Sequence, residues 1–141
     1  MIVGLFPELL ATGGVQTVGR HLAASLAWMA NGDLASYRFL SFNDPAGIHE
    51  LTVNDTRFSF RGFARNRPQF LAALLSAAAA RPRLVLASHP FLAPASTLVK
   101  AVSPSASSII STHGVDVWSP LPFIRRHALR RANLEIGRAH V

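Results

Sequence analysis

The sequence has no cysteine, one lysine, one tyrosine and only seven acidic residues. Without cysteine there is neither a disulfide framework nor a thiolate metal site, and an intracellular location is the default. Long apolar runs are missing as well. The longest candidate, "FLAALLSAAAA" (Phe70–Ala80), falls short of the roughly 20 residues a membrane span needs, and Arg81 and Pro82 close it. The opening "MIVGLFPELL" has no charged n-region and no small-residue cleavage site, so no signal peptide is read there.

What remains is a globular composition: 141 residues, 50% hydrophobic and 15% charged, enough for one domain with a core. The net charge of +7 is unevenly placed. Residues 1–70 carry six Arg against five acids, whereas residues 71–141 carry seven Arg and one Lys against two acids. Such asymmetry marks a surface that meets phosphates, on nucleic acid or anionic lipid, or it reflects a bias toward Arg codons.

Along the chain, "IVGLF" (Ile2–Phe6) reads as a strand buried on both faces. A helical period starts at Val15, with Val15, Val18, Leu22, Leu26 and Met29 on one stripe, and "NGD" (Asn31–Asp33) stops it. Strand-like runs follow at Leu34–Phe42, near Thr56–Phe60, at Arg83–His89 and at Ser107–Gly114. Helices are expected over Pro68–Ala80, over Ala93–Val102 and from Leu121, and the rest of residues 48–65 is expected to be irregular. Alternation of this kind predicts an α/β domain with a parallel sheet, whose ligands bind beyond the carboxyl ends of the strands. Those ends hold Pro7–Gly14, Asn43–Asp44, His89–Pro90 and His113–Gly114.

In "ATGGVQTVGRHL" (Ala11–Leu22), two glycines precede a helix, a combination that lets backbone N–H groups and a positive dipole end meet a phosphate. Thr12 is a candidate cap. The dinucleotide fingerprint fits poorly, because six residues separate Phe6 from Gly13, and no Gly-Lys-Ser/Thr of a P-loop occurs. The structural alternative is a hinge into the helix.

The order of strand, longer loop, "GGVQ" and amphipathic helix resembles the N-terminal domain of GT-B glycosyltransferases of the large retaining family four. "STHGVDVWSPLPFIRRHALRRAN" (Ser111–Asn133) is similar to the His-Gly strand end and basic helix of that family. The resemblance implies a Rossmann-like parallel sheet flanked by helices, forming the incomplete N-terminal half of a GT-B fold over residues 1–134. It further implies a hexosyltransferase that takes a nucleotide-sugar as co-substrate and needs no other cofactor or metal. By the same resemblance, Gly13, Gly14, Val15 and Gln16 lie near donor diphosphate and acceptor. His113 is the implied catalytic residue, facing the donor sugar and acceptor, with Gly114 beside it as a donor- or acceptor-binding residue, and His89 lies on the acceptor side. The family's second Rossmann domain, with its Glu-x7-Glu motif, has no counterpart in these residues, so the fragment alone is expected to be inactive.

After Leu134 the family pattern breaks. "IGRAHV" (Ile136–Val141) matches a translated sequencing adapter, so residues 135–141 are expected to be a non-native tail, with a genuine divergent terminus as the alternative. On a wheel of the basic helix, Leu121, Ile124, Ala128 and Ala132 form an inward stripe, opposite Phe123, Arg126, His127 and Arg130. Phe123, Arg126 and Arg130 form a candidate membrane-surface face, which suits a cytoplasmic enzyme peripheral to the inner face of the membrane and a glycan or lipid-linked acceptor. A plain solvated helix face is the alternative. A different class of reading is a stand-alone α/β module binding a phosphate, a nucleotide or nucleic acid. Nucleic acid is not the expected partner, since the arginines lack interleaved aromatics beyond Phe123 and no nucleic-acid motif occurs.

Overall fold

The computed structural model describes residues 1–113 and 122–136. Strand β1 (Ile2–Phe6) is buried throughout, as its unbroken apolar run requires. It is followed by α1 (Gly14–Met29), β2 (Tyr37–Ser41), β3 (Gly47–Val53), β4 (Thr56–Gly62), α2 (Arg67–Ala79) and β5 (Leu84–Ala87). A 3-10 turn (Pro90–Leu92), α3 (Ala93–Val102), β6 (Ser107–Ser111), α4 (Phe123–Arg131) and β7 (Leu134–Ile136) complete the order. The strands form one seven-stranded sheet in the order β3-β4-β2-β1-β5-β6-β7. Every pairing is parallel except β3 with β4. The protein is therefore α/β, with a mostly parallel mixed sheet flanked by helices, an architecture consistent with a Rossmann-like fold.

Alternation along the strands sends side chains to two cores. Val3, Leu5, Val85 and Ile110 pack with Leu74, Ala77, Val99 and Ala128 of α2, α3 and α4. Ile2, Phe6, Phe39 and Phe58 pack with Ala23, Leu26 and Ala27 of α1 on the opposite face. Phe39 stands edge-on to Phe6 and Phe58, with ring centroids 5.6 and 5.9 Å apart. These rings fill the space beneath α1, so the helix meets the sheet through small residues, including Gly19, Ala23 and Ala27. That corrects the expected stripe: Val18 and Met29 are 42% and 53% exposed.

Helix boundaries have local causes. The Asn66 side chain accepts the Gln69 N–H (3.1 Å) and caps α2, with Pro68 in the first turn. Helix α1 ends where Asn31 and Gly32 adopt positive φ, as the "NGD" stop predicts. Residues 48–53, expected to be irregular, belong to β3 (Gly47–Val53), which hairpins onto β4 through Asn54 and Asp55, both at positive φ. Two positive-φ residues in a row make the turn that suits hairpin twist. The last strand, β7, pairs with β6 and is set by Asn133, whose side-chain oxygen accepts from Ser108 N–H and Lys100 Nζ. Leu134–Ile136 thus extends the sheet at the point where the family pattern breaks. In α4, Ala128 is buried as expected, but Ile124 is 67% exposed and lies off the sheet, while Leu121 falls outside the described residues.

Candidate functional site

The chain leaves β1 toward β2 on one side and returns to β5 on the other, so the sheet's order reverses at β1. In open α/β sheets the crevice at such a reversal, beyond the strand carboxyl ends, is where ligands bind. Here it is bordered by the loop after β1 (residues 7–13) and by the residues that follow β5 and β6.

The loop is braced from two sides. Asp44, just beyond β2 and 4% exposed, accepts the backbone N–H of Leu9 (2.7 Å), the N–H of Leu10 (3.2 Å) and the Ser41 hydroxyl (2.6 Å). Ionised carboxylates make such bonds shorter and stronger than neutral pairs do. From α1, Arg20 donates to the carbonyls of Leu9 (2.7 Å) and Ala11 (2.8 Å) and to the Thr17 hydroxyl (3.2 Å). Neither brace was read from the sequence as such, although Asp44 stood among the strand-end residues.

Gly13 is the residue that caps α1, at φ 151°, where a side chain is strained, and a Cβ there would collide with the Gln16 side chain. Its carbonyl accepts the Thr17 N–H (2.9 Å) and hydroxyl (2.8 Å). No side chain caps the helix, which corrects the expectation for Thr12. The N–H groups of the first turn, Gly14 to Gln16, have no partner within the helix and point along its positive end. Gln16 turns back over the loop and donates from Nε2 to Glu8 Oε1 at 2.7 Å.

His89 and His113 come together. Their rings stack with centroids 5.8 Å apart and planes 26° from parallel. His89 Nδ1 accepts the Phe91 N–H (3.0 Å) and so caps the 3-10 turn, which requires that nitrogen to be unprotonated. His113 Nε2 lies 3.0 Å from the Ser88 carbonyl, and a carbonyl only accepts, so Nε2 carries the proton and Nδ1 is the acceptor of the neutral ring. Gly19 of α1 packs so that a Cβ would sit 4.0 Å from the Ser88 hydroxyl, which ties the glycine-loop helix to the strand end bearing the histidines. Gly13, Gly14, Val15, Gln16, His89 and His113 therefore lie together beyond the carboxyl ends of β1, β5 and β6; Gly114 lies outside the described residues.

The remaining candidates lie on α4. Phe123 is 72% exposed, stacks on His127 (6.0 Å) and shares the outward face with the exposed Arg126 and Arg130. Arg125 lies over the Phe91 ring at 5.3 Å and joins α4 to the turn that His89 caps. Among the described residues, no helix is long and apolar enough to cross a membrane, and no three His, Asp or Glu side chains are grouped to hold a metal ion. Compared with protein-family models, with curated proteins and with solved structures, the chain finds no match.

Proposed function

We propose that this chain is the acceptor-side domain of a GT-B glycosyltransferase of the retaining family-four type. Such an enzyme moves a sugar from a nucleotide-sugar to a glycan or lipid-linked acceptor. In this reading a second Rossmann domain, with its Glu-x7-Glu motif, supplies most of the donor site. The observation that carries the proposal is the braced glycine loop beside the stacked His89–His113 pair, at the carboxyl ends of β1, β5 and β6. The first-turn N–H groups of α1 are suited to charge building on a departing diphosphate, because fixed donors aimed at developing charge stabilise it without reorganising. His113, with Nε2 committed to the Ser88 carbonyl, presents Nδ1 as an acceptor for a sugar hydroxyl. The exposed Phe123 among Arg126 and Arg130 supports a peripheral place on an anionic membrane surface, each Arg contributing about 1 kcal/mol.

The test is to clone the gene from independent template and assay the product with UDP- and GDP-sugars. A frame running past Leu134 into a domain with paired Glu, and transfer that falls at least a hundredfold in His113→Ala, is the expected result. Turnover by the 141-residue chain alone refutes the proposal, as does a native stop after Val141.

A further inference from the structure

On the sheet face that carries α2, a groove of about 640 Å3 runs between that helix and the outer strands β2, β4 and β3. It shares no residue with the glycine loop or the histidine pair. Its walls are Ile48 on one side and Ala72, Ala73 and Ser76 on the other, and its strand floor brings in Arg38 and Arg61. No carboxylate lines it. The acid nearest in register on this face is Glu50, opposite Ser59, and Arg57 already engages it. That is the only ion pair among the described residues, so Arg38 and Arg61 have no acidic partner there.

The strand register fixes the backbones of the two arginines in relation to each other. Arg61 stands beside Leu40 in the β2–β4 register, two positions along from Arg38 on the same face. Two strand residues and one interstrand step separate their Cα atoms by about 8 Å. Each guanidinium is steadied by a neutral neighbour. Arg38 Nη1 donates to the Ser76 hydroxyl (3.3 Å), and Arg61 lies 5.2 Å from the centre of the Phe63 ring. Both therefore keep most of their five N–H donors for a ligand.

We infer that this groove binds a small, soluble phosphomonoester with an apolar body. Two planar guanidiniums match the charge of a phosphomonoester, close to −2 at neutral pH, whereas a carboxylate satisfies one. The alanines of α2 and the exposed Ile48 offer apolar wall to the rest of such a molecule, and the volume lies in the range of metabolite pockets. This assignment does not depend on the transferase reading.

The test uses the 15N-labelled 141-residue chain titrated with phenyl phosphate and, separately, with inorganic phosphate. Phenyl phosphate is expected to shift the amides of Arg38, Ser59, Arg61, Ala72 and Ala73 saturably, with inorganic phosphate at least tenfold weaker. Arg38→Gln and Arg61→Gln, both at exposed positions, should each weaken phenyl phosphate at least tenfold while leaving the remaining spectrum in place. Shifts confined to residues 13–16, or groove shifts of undiminished affinity in both variants, overturn the assignment. So does inorganic phosphate binding as tightly as phenyl phosphate.

Discussion

Replacing Asp44 by alanine tests whether the loop after β1 is held by one carboxylate. Three donors converge on it: Leu9 N–H, Leu10 N–H and the Ser41 hydroxyl. Hydrogen bonds to a charged acceptor contribute about 1.5–3 kcal/mol each, but the sum overstates the loss. The half-buried Leu10 N–H reaches water once the carboxylate is gone, and alanine also removes the cost of burying the charge. The Leu9 N–H keeps its buried place and loses its acceptor, at about 1–3 kcal/mol. A net destabilisation of about 3 kcal/mol follows, equivalent to a fall in Tm of about 10 °C for a domain of this size. Asp44→Asn keeps the shape and one acceptor oxygen but turns an amide N–H toward donors, and about half the loss is expected. Urea unfolding gives the magnitude, and hydrogen exchange gives its location. Leu9 and Leu10 amides should lose protection before those of β1. A Leu9 amide as protected in Asp44→Ala as in the parent, or a loss below about 1 kcal/mol, refutes the reasoning.

Gly13 and Gly14 adjoin in sequence but differ in their tolerance of a side chain. Gly13→Ala, at φ 151° and against Gln16, should cost about 1–2 kcal/mol in denaturant unfolding, whereas Gly14→Ala, with nothing within 4 Å of the new Cβ, should be neutral or slightly stabilising. Asp33 gives a pH prediction. The Ser36 hydroxyl first, and then the Ala35 N–H, hold its carboxyl below the ordinary carboxylate value. A depressed folded value means that the turn's stabilisation is fully present above the unfolded pKa of about 3.9 and is lost as pH falls through the folded value. An NMR titration of the Asp33 side-chain carbon should show the lowered midpoint in the parent and an ordinary one in Ser36→Ala.

Much of the α/β alternation was legible because the inner strands are apolar on both faces, as Ile2–Phe6 is. What was not legible has particular causes. Strand β3 alternates His49, Leu51 and Val53 with Ile48, Glu50 and Thr52, a half-exposed pattern weaker than a buried run, and its turn is Asn-Asp rather than Asn-Gly. The helical period of α1 predicts its long apolar side chains facing inward, but the aromatic volume of Phe6, Phe39 and Phe58 comes from the sheet. Small residues therefore serve best on the helix above them. The same preference for bulk misplaced Ile124, where Ala128 makes the close contact. At the candidate site, strand ends pointed to the histidines and the glycines. They also held Asp44, but not its role, because it accepts from main-chain N–H groups 34 and 35 residues away, and Arg20, inside α1, lies at no strand end.

Those two braces have a consequence for how the site can diversify. Asp44 and Arg20 grip the N–H groups of Leu9 and Leu10 and the carbonyls of Leu9 and Ala11, none of which depends on side-chain identity. Leu9 is buried and fixed by packing, but the side chains of Leu10 and Thr12 are exposed. Substitutions at these two places can alter what the loop presents to a ligand while its path stays as it is. Shape and chemistry are thus assigned to different atoms of the same short segment, and drift in one leaves the other intact.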